Sequence, residues 1–155
     1  AFGPRQSLRA VIPTIISQII GNKKSIKLGS LNTTRDFNFV EDLTYAFQLA
    51  IKNKKCIGEI INIGSGYEIS IKDLIKEISA LMEKKIIIVK DNMRVRPTKS
   101  EVNRLLADNN KAKKILKWNP SFSGIKGLRK GLLSTINWFE ENHELYKEKS
   151  KFYNI

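Results

Sequence analysis

The chain has 155 residues, 41% of them hydrophobic and 28% charged, with a formal net charge of +13. It is long enough for one domain with a packed core, and isoleucine is spread too evenly along it for a disordered tail. A single cysteine, Cys56, excludes an internal disulfide framework and a cysteine-based zinc site. No apolar run approaches the roughly 18 residues that span a bilayer, and one cysteine suits a reducing cytosol, so the expected setting is the cytoplasm, with neither membrane nor metal.

The opening Ala1-Phe2-Gly3-Pro4-Arg5 reads as a turn with no targeting signal before it, as in a fragment whose first half lies elsewhere. Leu8, Val11, Ile12, Ile15, Ile16, Ile19 and Ile20 recur at helical spacing and predict a helix over 8–21, stopped by Gly21-Asn22. Ile26-Lys27-Leu28 alternates like a short strand, and Thr33 to Val40 is β-favouring, with Phe37 and Phe39 on one face. Glu41-Asp42 opens a second helix, 41–53, whose apolar stripe is Leu43, Ala46, Phe47, Ala50 and Ile51.

Glu59 to Ile63 is a β-branched run leading into Gly64-Ser65-Gly66. A third helix follows Ser70, where Ser70 and Asp73 have capping-box spacing, with Ile71, Leu74, Ile75, Ile78, Leu81 and Met82 inward. Lys85 to Val89 is another apolar strand, and Arg94-Val95-Arg96-Pro97 is an extended loop, because a residue before proline is pushed out of helical geometry. Asp108 is expected to cap a short helix through Leu116, which Trp118-Asn119-Pro120 closes. The last helix, 124–141, turns Ile125, Leu128, Leu132, Leu133, Ile136 and Phe139 inward, and the tail from Lys147 is polar. Helices alternate with few, short strands. The fold class is therefore α/β or α+β, in a piece that completes a larger sheet.

Acid–base machinery is sparse. His143, the only histidine, lies at a polar helix end between Glu141 and Glu144, and no Ser/His/Asp or Cys/His set can be assembled around it. Gly64-Ser65-Gly66 has two readings, a phosphate-holding loop or a tight turn; it lacks the third glycine of a dinucleotide loop and the lysine of a P-loop. The lysine pairs at 23–24, 54–55, 84–85 and 113–114 sit at separate helix ends or turns and read as solvated surface. Arginine supplies only 7 of the 28 basic residues, so each one stands out against the lysine bias. Arg35 sits in a β-like stretch, and Arg96 is fixed by Pro97 in a loop with Arg94 and Lys99. A guanidinium suits bidentate capture of phosphate. The equal alternative for Arg35 is a structural pair with Asp36 or Asp42.

The ordered set Phe2-Gly3-Pro4-Arg5-Gln6, Gly29, Thr34-Arg35-Asp36-Phe37, Val40-Glu41-Asp42, Asn62-Ile63-Gly64-Ser65-Gly66, Arg94-Val95-Arg96-Pro97, Asp108, Lys111-Ala112 and Trp118-Asn119-Pro120 resembles a known family. It is similar to the C-terminal half of extended short-chain dehydrogenases/reductases, the NAD(P)-dependent nucleotide-sugar epimerases and 4,6-dehydratases. The stretch Arg96 to Val102 looks most like dehydratases acting on GDP- or UDP-linked hexoses or N-acetylhexosamines.

The resemblance implies incomplete Rossmann-sheet elements plus a small mixed α/β substrate-binding subdomain, with residues 1–146 the nucleotide-sugar-binding portion and 147–155 a tail. Arg35 and Arg96 would grip the diphosphate, Ile26 and Leu28 would lie along the base, and Glu101 would reach the ribose or sugar. NAD or NADP, bound by the missing N-terminal half, would serve the parent enzyme, a lyase or isomerase expected to be a homodimer. The sequence has no Gly-x-x-Gly-x-x-Gly loop and no Tyr-x-x-x-Lys, so the piece alone is expected to be inactive and free of cofactor. Helix 41–53 and strand 59–63 would pack onto the missing half, leaving their faces exposed or covered by a second copy. Two alternatives remain: a basic nucleic-acid module, disfavoured by sparse aromatics, and a ligand-free oligomerisation domain, in which lysine could replace Arg35 and Arg96 without loss.

Overall fold

The computed structural model describes residues 1–23, 25–91 and 101–146. Its first helix, α1, runs over Val11–Ile20 rather than from residue 8, because Ala10 is extended at ψ 151°. Pro13 accounts for the later start. In the first turn its missing N–H falls where a helix has no acceptor to offer, whereas in an interior turn its ring would strike a carbonyl. The Thr14 hydroxyl lies 2.7 Å from the Leu8 carbonyl oxygen and 2.8 Å from that of Ala10, tying the lead-in segment to the helix.

Along the chain the strands are β1 (Ser25–Leu28), β2 (Thr34–Asp36), β3 (Glu68–Ser70), β4 (Ile87–Lys90) and β5 (Arg104–Leu105). The later helices are α2 (Val40–Ile51), α3 (Ile71–Leu81), α4 (Asn110–Leu116) and α5 (Gly124–Glu141). The α/β alternation read from periodicity is the architecture observed. β1 and β4 pair in parallel from Ser25↔Ile87 to Leu28↔Lys90. A second sheet has the order β3-β2-β5, with β2 antiparallel to β3 and parallel to β5.

Most of the core lies where α1, α3 and α5 meet. Ile12, Ile15, Ile16, Leu74, Ile75, Ile78, Leu128, Leu132 and Ile136 are buried there, around the rings of Phe2, Phe39 and Phe122. Gly131 lets α5 approach this aromatic cluster: a Cβ at that position would stand 2.8 Å from both the Phe2 and Phe39 rings. A smaller core of Ala46, Ala112, Leu116 and Trp118 joins α2 to α4. The Trp118 indole donates to the Asp42 carbonyl oxygen at 3.0 Å, and the buried Asp42 carboxylate accepts the backbone N–H groups of Ser121 (2.8 Å) and Phe122 (2.9 Å).

Several local expectations differ from the outcome. β2 stops at Asp36, because Phe39 leaves the ladder to become the N-cap residue of α2 and to bridge Phe2. Residues 59–63 join no ladder among the described residues, and Ile60 is 84% exposed. Of the stripe assigned to α2 only Ala46 is buried; Phe47 and Ile51 are 59% and 86% exposed. On α5, Leu133 faces solvent. The N-cap of α4 is Asn109, not Asp108, which instead accepts the Asn110 N–H at 2.9 Å. No described helix is long and apolar enough to cross a membrane.

Candidate functional site

The site is built outward from β2. Strand alternation sends the side chain of Arg35 to the opposite face from Thr34 and Asp36. Each of the three is then held by a different partner. The Thr34 hydroxyl donates to Glu68 of β3 at 2.7 Å, and the same carboxylate receives Arg104 Nε of β5 at 2.8 Å. One carboxylate thus ties all three strands together, and the Arg104 guanidinium, followed by the Thr34 hydroxyl, holds Glu68 below the ordinary glutamate range. The same pairing raises Arg104.

Asp36 organises the turn that follows residues 59–63. Its Oδ1 accepts the Ser65 N–H (2.9 Å) and the Ser65 hydroxyl (2.6 Å), and its Oδ2 accepts the Gly66 N–H (3.2 Å) and the Ala107 N–H (3.4 Å). Gly64 lets these segments meet, since a Cβ there would stand 2.3 Å from that of Ala107. This decides between the two readings of Gly64-Ser65-Gly66. Its Ser65 and Gly66 amides are spent on an internal carboxylate, so the segment is a structural turn and not a phosphate loop.

Arg35 pairs with neither Asp36 nor Asp42. Its guanidinium donates to the Thr34 carbonyl oxygen at 2.8 Å and to Glu101 at 3.1 Å, with both side chains largely buried. Glu101 also accepts the Ser30 hydroxyl at 3.3 Å. Beside this pair opens a cavity of about 400 Å³, walled by Leu28, Gly29, Ser30 and Thr33 from the end of β1 onward, by Arg35, Asp36 and Glu101, and by Arg9, Ala10, Val11 and Thr14 at the start of α1. A second cavity of about 430 Å³ shares Gly29, Ser30, Thr33 and Glu101 with it.

Leu28, Arg35 and Glu101 therefore lie on one wall. Ile26 does not: its side chain is fully buried in the core, where the Lys27 N–H donates to Gln18 at 3.0 Å and locks β1 onto α1. Arg96 lies outside the described residues. Sequence reasoning missed Arg9 on this wall and the role of Glu101 as the partner of Arg35. The scarcity of arginine was a signal for the first; a pairing across 66 residues left none for the second.

With the geometry in place, the chain can be compared with known proteins. Residues 1–130 match the family model described as GDP-mannose 4,6 dehydratase. The human dTDP-D-glucose 4,6-dehydratase is 33% identical over 157 residues, covering 97% of this chain and 42% of that protein. Among solved structures, an epimerase of Methanothermobacter thermautotrophicus superposes with a TM-score of 0.82 at 32% identity, covering 95% of this chain and 43% of that one. The UDP-glucuronic acid 4-epimerase of Bacillus cereus, in complex with UDP-glucuronic acid and NAD, does so with a TM-score of 0.79 at 27% identity, covering 91% and 43%. The chain spans about two fifths of the length of the relatives it matches.

Proposed function

The chain belongs to the GDP-mannose 4,6 dehydratase family, among the extended short-chain dehydrogenases/reductases, and from that premise we propose that residues 1–146 are the nucleotide-sugar-binding portion of an NAD-dependent 4,6-dehydratase or epimerase. The ligand is a GDP- or UDP-linked hexose or N-acetylhexosamine. Arg35 is its principal diphosphate contact in the cavity, with Arg96 as the second arginine. The end of β1 at Leu28 borders the base, and Glu101 takes the ribose or sugar hydroxyls.

One observation carries this reading: Arg35 is presented to the cavity already oriented. Its contacts with the Thr34 carbonyl and Glu101 fix the plane of the guanidinium while using only part of its donor set. The remaining N–H groups can meet phosphate oxygens without a large loss of rotamer freedom. Glu101 is held in turn by Ser30, next to Gly29, where the backbone can approach a planar ligand closely.

The residues present do not fit a dinucleotide cofactor. The Gly-Ser-Gly turn has given its amides to Asp36, and Tyr45, Tyr67, Tyr146 and Tyr153 lack a lysine four residues on. No chemical step is therefore assigned to this chain, which binds and orients a ligand but does not turn it over. NAD or NADP and the reacting groups belong to the remainder of the enzyme, the portion that the relatives carry beyond the matched two fifths. That portion is the partner for the exposed apolar residues of α2 and 59–63, in a cytoplasmic homodimer.

The test is a titration of the isotope-labelled chain with UDP, GDP, dTDP, their sugars and NAD, followed by NMR. Shifts are expected at Leu28 to Ser30, Arg35 and Glu101 with a nucleotide diphosphate and not with NAD. Arg35→Lys should weaken the effect about tenfold, because a lysine cannot reproduce the fork. Absence of any response around Arg35 to every nucleotide diphosphate overturns the assignment.

A further inference from the structure

Three charged side chains line the cavity beside β2: Arg9, Arg35 and Glu101. Arg35 is neutralised by Glu101 at 3.1 Å. Asp36 borders the cavity too, but its carboxylate points to the other face of β2, onto the Ser65 hydroxyl and the amides of Ser65, Gly66 and Ala107. Arg9 is exposed, and among the described residues its guanidinium has neither an ion pair nor a hydrogen bond; only its backbone N–H is engaged, by the Ser7 hydroxyl at 3.3 Å. The Arg35–Glu101 pair sums to zero, so Arg9 is the net side-chain charge of this wall, which the N-terminal Ala1 also borders. Without Arg9 the side chains lining it carry no net charge to draw an anion in, however well Arg35 is oriented.

We infer that Arg9 is a third arginine of the ligand site, the one that supplies the charge drawing a diphosphate into the cavity, while the Arg35–Glu101 pair orients it. This rests on the function proposed above and adds a residue that the earlier reading did not include. The placement supports it. Arg9 immediately precedes α1, whose N-cap Ala10 has no side-chain cap and which lines the same wall through Ala10, Val11 and Thr14. The positive end of the helix axis and the free guanidinium therefore meet the cavity from one side. A charge anchored in water at the mouth acts mainly on attraction, so its contribution falls with ionic strength, whereas the contribution of the sheltered Arg35 falls less.

The experiment uses the full 155-residue chain with UDP and inorganic pyrophosphate as probes, followed by NMR titration at low and high salt. The variants are Arg9→Ala, Arg9→Lys and Arg35→Lys. Arg9 is exposed and makes no side-chain hydrogen bond or ion pair among the described residues, so its variants should match the parent in thermal unfolding. Expected are about tenfold weaker binding of both probes to Arg9→Ala at low salt, a gap that narrows at high salt, and near-parental binding by Arg9→Lys. If Arg9→Ala binds like the parent while Arg35→Lys is weakened, the inference about Arg9 is overturned and the assigned function stands. If the parent chain shows no response of the cavity to either probe, both fall together.

Discussion

Replacing Asp36 tests whether one carboxylate holds the site's frame together. It accepts two short hydrogen bonds, from the Ser65 hydroxyl at 2.6 Å and the Ser65 amide at 2.9 Å, and two long ones, from Gly66 at 3.2 Å and Ala107 at 3.4 Å. Taking the short pair at about 1.5 kcal/mol each, the low end for a charged acceptor, and the long pair at about 0.5 each gives about 4 kcal/mol for Asp36→Ala. Asp36→Asn keeps one acceptor oxygen but turns an amide N–H toward a backbone N–H, and should cost about 2 kcal/mol. For a chain of this length those losses lower the unfolding temperature by about 12 °C and 6 °C. Circular dichroism with heating and urea measures both. The control is Ser65→Ala, which removes the hydroxyl with its Tyr67 contacts (3.2 Å) but leaves the three amide contacts to Asp36, and which should cost less than Asp36→Ala. An Asp36→Ala chain within about 1 kcal/mol of the parent would refute the view that this carboxylate builds the turn.

Two further outcomes follow from features of the same molecule. Glu68 is held below the ordinary glutamate range by Arg104 first and Thr34 second, so its folded pKa lies under the unfolded one. Its stabilisation is therefore complete above the unfolded value and is lost as the pH falls through the folded value. Urea midpoints for the parent should exceed those of Glu68→Gln at neutral pH and converge with them in acid; a gap of constant size across that range contradicts the assignment. Phe47, Ile51 and Ile60 are exposed at 59%, 86% and 84%, so the isolated chain should self-associate, and Phe47→Glu with Ile60→Thr should reduce this without lowering the unfolding temperature. Sedimentation velocity decides it, and an unchanged distribution counts against these residues as a contact face.

Helices with a sustained apolar period were legible in the sequence. α3 and α5 fall where Ile71 to Ile78 and Leu128 to Phe139 place them, and Ser70 caps α3 through the Asp73 amide as its spacing implied. Features that depended on distant partners were not legible. The run 59–63 has strand-like composition yet pairs with nothing described, since a ladder needs a neighbour that composition cannot supply. The structural alternative for Arg35 named Asp36 or Asp42, the aspartates nearest in the sequence. The fold instead spends those two on backbone amides and brings in Glu101. Pro13 was a readable warning about the start of α1, overridden by the apolar spacing of Leu8. The site was thus half visible: the arginine could be picked out by its rarity, and its electrostatic setting only by folding.

The bridge between Phe2 and Phe39 bears on how this polypeptide can be handled. Phe2 donates its N–H to Asn38 at 2.8 Å and accepts from Val40 at 2.9 Å, while its ring lies under α5 against Gly131. The second residue is therefore a rivet in the interior, stitched on both sides. A splice point, protease recognition site or affinity handle at this end has to be placed upstream of it, because a cut even two positions later would pull the rivet and let solvent into the aromatic cluster.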